Sequence, residues 1–119
     1  MKIRDKNIAI AEKTRIANNF FSRVKGLMFS RVLKKGEALL LVNKSENINE
    51  SRIHTFFVFF KIDAVWLDSS RMVVDKKESI MPFTPLIKPG KPARYILELP
   101  AKASRLIKIG DVLEFTKDI

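Results

Sequence analysis

The 119-residue chain contains no cysteine, which excludes disulfide frameworks, thiolate metal sites and thiol catalysis. Its single histidine, His54, rules out paired-histidine metal motifs and leaves general-base chemistry to one imidazole or a tuned carboxylate. The four glycines are scattered, so no phosphate-cradling loop forms, and no serine stands in a nucleophile elbow. Long apolar runs are missing as well. Leu39 to Val42 and Phe56 to Phe60 are strand-sized, far short of the roughly 20 residues of a spanning helix. The start, Met1-Lys2-Ile3-Arg4-Asp5-Lys6, lacks the apolar centre of a signal peptide. A cytoplasmic protein without a membrane partner is the expectation.

What the chain does have is charge and a moderate apolar content. Hydrophobic residues at 46% and charged residues at 30% belong to a globular protein. A chain of this length buries roughly two-thirds of its unfolded surface, so one domain over residues 1–119, monomeric, is expected. Lysine and arginine number 23 against 13 acids, a net charge of +10, which makes polyanions such as nucleic acid conceivable partners. The basic residues come in ones and twos, however, as in Lys34-Lys35 and Lys76-Lys77 or Lys88, Lys91 and Arg94. Dispersion of that kind is commonly a solvated surface. High charge without cysteine also suits a heat-adapted host.

The pattern is mostly extended. Ile8–Ala11 reads as a short strand. Asn18 or Asn19 offers an N-cap, after which Phe20, Phe21, Val24, Leu27 and Met28 share one arc of roughly 120° on a helix, the stripe of a face packed on a core. Gly26 keeps that helix short. Glu37–Val42 reads as a buried strand, Glu46–Ser51 as a loop, and Ile53–Phe60 as an aromatic-rich strand. Ile62–Leu67 and Met72–Val74 form the arms of a hairpin, with Asp63, Val65 and Leu67 on one face and Ile62, Ala64 and Trp66 on the other. Four prolines between Met81 and Pro92 impose a long surface loop. Arg94–Leu99 is a strand, Pro100 opens a helical turn through Arg105, and Val112–Phe115 closes the chain as a last strand. Strands and helices do not alternate, so the expected fold is mostly β: a compact antiparallel β-sandwich or jelly-roll-like barrel with one short amphipathic helix and one helical turn.

Two carboxylates stand out because each lies within an apolar strand, Asp63 and Glu98, where a charge is costly unless it is paired or hydrogen-bonded. Arg23, at the edge of the helical stripe, is the natural partner for one of them, as a structural ion pair pinning helix to sheet. His54 on its own is read as a partly buried histidine satisfied by a carbonyl or carboxylate. The sharper reading gathers Arg23, His54, Thr55, Asp63 and Glu98 into a polar-floored pocket for a small ligand. The first reading is thus a non-enzymatic ligand-binding or accessory module with an unknown small ligand or protein partner, and an enzyme using His54, Asp63 and Glu98 is the alternative. A third reading lets the surface lysines and the Lys88 to Arg94 loop hold nucleic acid weakly; Phe56, Phe57, Phe59 and Phe60 could stack on bases, but on an alternating strand about half of them must be core. No catalytic residue, cofactor or metal is assigned.

One ordered set of segments resembles a known family. It comprises Arg23-Val24-Lys25-Gly26-Leu27-Met28-Phe29, Gly36-Glu37 before a leucine run, Ile53-His54-Thr55-Phe56-Phe57, and Ile62-Asp63-Ala64-Val65-Trp66-Leu67-Asp68. Leu97-Glu98-Leu99-Pro100-Ala101 and Ile109-Gly110-Asp111 complete it. The set is similar to a small prokaryotic family known as a domain of unknown function, number 192. The resemblance spans about Ala9 to Phe115. It implies a compact mostly-β domain of sandwich or jelly-roll type and carries no established activity. It places emphasis on Arg23, Gly26, Leu27, Met28, His54, Asp63, Glu98, Gly110 and Asp111. Lys61 stands where that family usually has proline, and Lys102 where it usually has glycine.

Overall fold

In the computed structural model, which describes residues 1–117 and 119, the chain builds two sheets. The first three strands are β1 (Ile3–Asp5), β2 (Ile8–Ala11) and β3 (Lys13–Ala17), followed by helix α1 (Phe20–Lys25). Then come β4 (Glu37–Asn47), a 3-10 turn at Asn49–Ser51, β5 (Ile62–Leu67), β6 (Val73–Ile80), β7 (Ala93–Pro100) and β8 (Leu113–Phe115). The small sheet has the order β2-β1-β8 and the large one β3-β4-β7-β5-β6. Neither order closes into a barrel. Every pairing is antiparallel except β3 with β4, which run parallel. The fold is thus mostly β, as expected, but not wholly antiparallel.

The large sheet is apolar on both faces because its central strands alternate two apolar sets. Leu40, Val65, Leu67, Leu97 and Leu99 meet Ile3, Ala11 and Leu113 of the small sheet in one core. Leu39, Leu41, Ala64, Trp66 and Ile96 form the other, covered by Leu27, Ile53, Val58 and Ile87 from loops. All six residues of β5 are buried. The Trp66 indole N–H donates to the Ser51 carbonyl at 2.8 Å, which satisfies the one polar atom of the largest buried side chain.

Several elements differ from the sequence reading, each for a local reason. β4 runs on to Asn47 and β6 to Ile80, although both continuations are polar. β6 is an edge strand, and charged side chains such as Lys76, Lys77 and Glu78 suit an edge that must not pair further. The amphipathic helix is real but shorter than its stripe. Asn19 caps it, its Oδ1 accepting from the Ser22 N–H at 2.9 Å while the Ser22 hydroxyl accepts from the Asn19 N–H, a reciprocal capping pair. It stops at Gly26, φ +48°, so Leu27 and Met28 never join the apolar face. None of its six residues is buried, and only Leu27, beyond the end, reaches the core.

Ile53–Phe60 is not a strand. Phe57 takes φ +58°, which ends any extended run, and the segment instead lies along the proline-rich loop. Ile53 and Ile87 exchange backbone hydrogen bonds at 2.8 and 2.9 Å, and the Thr55 N–H donates to the Thr84 carbonyl at 2.9 Å. Aromatic enrichment reports a side-chain environment more than a backbone preference. The expected helical turn after Pro100 is a series of i to i+3 turns, at Ala103, Arg105 and Ile107.

Candidate functional site

The five polar residues singled out above do not share one place. Antiparallel pairing sets Ala64 opposite Glu98 and Asp63 opposite Leu99. Residues opposite each other point to the same face, so the two acids project from opposite faces of the large sheet. The proposed five-residue cluster is corrected on this point, and with it any site that would use Asp63 and Glu98 together.

Asp63 is a structural anchor. Its Oδ1 accepts from the N–H groups of Ser79 (2.8 Å) and Lys102 (2.9 Å). Its Oδ2 accepts from the N–H of Ser104 (2.9 Å) and the Ser104 hydroxyl (2.6 Å). Four donors hold the wholly buried carboxylate and fix the turns after β7, which compensates its removal from water. Thr55 also serves the fold. Its buried hydroxyl donates to the Met81 carbonyl and accepts from the Thr84 N–H, both at 2.7 Å, stapling the proline-rich loop to the chain before β5.

The other three face one cavity. A cleft of about 340 Å³ lies between α1 and the large sheet, with Arg23, His54 and Glu98 in its walls. Phe20 and Val24 form its helix side, Leu41 and Ile96 its sheet side, and Arg52 and Ile53 its rim beyond the 3-10 turn. The size falls within the usual range of small-molecule clefts. Arg23 forms no ion pair among the described residues. One of its guanidinium nitrogens donates to the Val42 carbonyl at 3.2 Å, so the helix is tied to the sheet through a carbonyl and not through an acid. The His54 Nδ1 accepts from the Phe56 N–H at 3.1 Å, which puts the proton of the neutral ring on Nε2.

Glu98, like Asp5, is a buried carboxyl with an unpartnered oxygen, and of the two it is the one that lines the cleft. It is 3% exposed, and its Oε1 has no hydrogen-bond partner. Burial pushes its pKa up to about 8, opposed only weakly by the Arg15 charge. At neutral pH the group is therefore chiefly the uncharged acid, able to donate a hydrogen bond as well as accept one. A Cβ placed on Gly26 would stand 3.6 Å from Oε1, so the helix end closes directly over the carboxyl.

Sequence reasoning missed Asn43, which also lines the cleft. Its amide nitrogen donates to the Ser51 hydroxyl at 3.0 Å, whereas its Oδ1 is buried without a partner. The available signal was an asparagine directly following five apolar residues, at the place where the strand was expected to end. A larger cavity of about 560 Å³ lies beside β3 and the loop before β4. Of its two acids, Glu12 lies 3.7 Å from the Lys2 ammonium, and Glu37 is paired with Arg31 through two hydrogen bonds of 2.8 and 2.7 Å. That pairing, more than any other contact, holds the Glu37 carboxyl down at about 2. Lys61 and Lys102 lie outside both cavities. Lys102 has φ +70°, a backbone conformation that glycine adopts without strain.

Fold and cleft together define a small mostly-β domain with one polar-floored cavity under a capped surface helix. The chain belongs to the DUF192 family, described as an uncharacterized ACR, COG1430, which it matches over residues 1–115. It is 38% identical to a UPF0127 protein of Thermococcus kodakarensis over 87% of this chain and 65% of that one. To a UPF0127 protein of Pyrococcus abyssi it is 32% identical over 92% of both. The chain thus spans just under two thirds of the Thermococcus relative it matches. A crystal structure of a protein of unknown function from Novosphingobium aromaticivorans superposes with a TM-score of 0.84 at 17% identity, covering 96% of this chain and 82% of that chain. That likeness establishes the fold alone.

Proposed function

We propose that the chain is a ligand-binding module whose site is the cleft under α1, and that the ligand is a small hydroxylated organic anion. The observation that carries this reading is a pair of buried oxygens, Glu98 Oε1 and Asn43 Oδ1, each without a partner, on two residues that line one cavity. Unpaired buried polar atoms cost about 1–3 kcal/mol each, and a bound molecule that supplies hydrogen-bonding groups would offset that cost. An uncharged Glu98 can donate to an anionic oxygen, and Arg23, Lys25 and Arg52 add positive charge around the cleft against the single acid Glu50. Asn43 Oδ1 accepts only, so the ligand also needs a hydroxyl or N–H donor. Apolar walls from Phe20, Leu41 and Ile96 suit a carbon skeleton. We read the pair of sheets that carries this cleft as a jelly-roll-like sandwich, since the core between them is shared by both.

The test is a titration of the 15N-labelled protein with glycerate, gluconate and glucuronate, using glycerol and glucose as neutral counterparts. The reading expects amide shifts confined to α1, Asn43, the Arg52–His54 segment and Ile96–Glu98, for the anions only, and their loss in Arg23→Ala. Shifts elsewhere, or none with any probe, would refute it.

A further inference from the structure

We infer that the face built by the α1 region, the Ser51–Ile62 segment and the proline-rich loop docks onto an anionic lipid surface. Residues 20–36, 51–62 and 80–92 contain nine lysines or arginines, no aspartate or glutamate, and eight of the nine phenylalanines. The fold brings these segments together. The Phe29 N–H donates to the Phe57 carbonyl at 2.8 Å and the Phe83 N–H to the Thr55 carbonyl at 2.7 Å. Phe29 stacks on Phe57 with centroids 4.9 Å apart, and Phe83 meets Phe57 and Phe59 edge-on at 5.7 and 5.4 Å.

These rings are not core. Phe29 is 68% exposed and Phe59 63%. Phe29, Phe57 and Phe83 all have left-handed backbones, φ +58°, +58° and +60°, a conformation that disfavours a bulky side chain and that Asn or Gly would hold at lower cost. Strained backbone that holds apolar rings partly open to solvent costs the fold more than Asn or Gly would there, and strain of this kind tends to mark functional surface.

Charge selects the occupant. A second copy of the chain would set one predominantly basic face against another, its nearest acids Glu37 and Asp75 being engaged with Arg31 and the Gly90 N–H, which is repulsive. Single-stranded nucleic acid needs open ring faces, but these rings pack on one another, and the exposed Val32, Met81 and Leu86 of the same segments offer bases nothing. An interface of anionic headgroups over acyl chains takes both the apolar side chains and the cations. The missing spanning segment, from which no membrane partner was expected, bears on crossing a bilayer and not on lying against one.

Co-sedimentation with phosphatidylcholine vesicles, with and without phosphatidylglycerol, tests this. The intact protein should pellet with the anionic vesicles. The triple variant Phe29→Asn, Phe57→Asn, Phe83→Asn should keep or raise its melting temperature and lose at least roughly tenfold in vesicle partitioning, the loss expected from one unburied aromatic side chain. Should that variant not fold, Phe59→Ser, at an ordinary backbone position, gives the same reading. Lys61→Glu with Lys88→Glu should weaken binding more than Lys108→Glu with Lys117→Glu, which change net charge equally elsewhere. Unchanged partitioning of the phenylalanine variants, or equal effects of the two lysine pairs, would overturn the proposal. So would failure of the intact protein to bind anionic vesicles, including a preference for single-stranded RNA over them.

Discussion

Replacing Glu98 by glutamine removes an ionisable group at nearly constant shape. In the unfolded chain the carboxyl ionises around its ordinary 4.5, and in the fold only around 8. Between those values the unfolded state has released its proton while the folded state retains it, so stability falls as pH rises through that window. Below 4.5 both states are protonated and the loss is absent. Above 8 it is complete. The interval corresponds to about 5 kcal/mol in full and about 3 kcal/mol at pH 7, at 1.36 kcal/mol for each tenfold change in proton affinity. Glutamine titrates nowhere in this range, so Glu98→Gln should match the parent within about 1 kcal/mol at pH 4 and exceed it by about 3 kcal/mol at pH 7. Urea unfolding of both proteins at pH 4, 7 and 9 measures this. A stability difference that is the same at all three values would refute the reasoning, because it would mean that Glu98 ionises alike in both states. This outcome runs against the sequence-level expectation, in which a carboxylate within an apolar strand is paired or hydrogen-bonded, Arg23 being the natural partner for Asp63 or Glu98. The alternation of β7 left the side chain on the apolar face, but no partner reaches Oε1.

Asp63→Ala strands four donors and should cost about 3–5 kcal/mol, with faster hydrogen exchange at Lys102 and Ser104; a loss under about 1 kcal/mol would show that these bonds are not held in solution. Gly26→Ala forces a side chain onto φ +48°, ψ −123°, a region that glycine alone adopts readily, and should destabilise by about 1–3 kcal/mol in chemical denaturation; an unchanged midpoint would argue against this backbone at the helix end. Lys102→Gly relieves φ +70° and should stabilise by up to about 1 kcal/mol, with a lowered midpoint as the contrary result.

The central strands were legible because β5 and β7 carry apolar side chains on both faces, and burial of that kind leaves a continuous apolar run. The edges were not. β6 and the end of β4 are polar, and their strand character comes from pairing with neighbours far along the chain. Phe56–Phe60 misled because Phe56, Phe57 and Phe59 are exposed on a loop and only Phe60 packs against the core. For the site, Glu98 and Asp63 were both recognised as acids in apolar strands, but their separation depends on the register of β5 against β7, which composition does not encode. Asn43 escaped notice because an asparagine after a strand resembles a turn residue, and its buried orphaned oxygen is a property of three-dimensional packing.

The most direct measurement follows the 13Cδ resonance of Glu98, in protein labelled at glutamate and assigned with the glutamine variant, from pH 3 to pH 10. An uncharged acid closed under the helix end should titrate with a midpoint near 8. A midpoint in the ordinary range around 4.5 would show an ionised carboxylate under Gly26 at neutral pH and would remove the donor on which the proposed anion site rests.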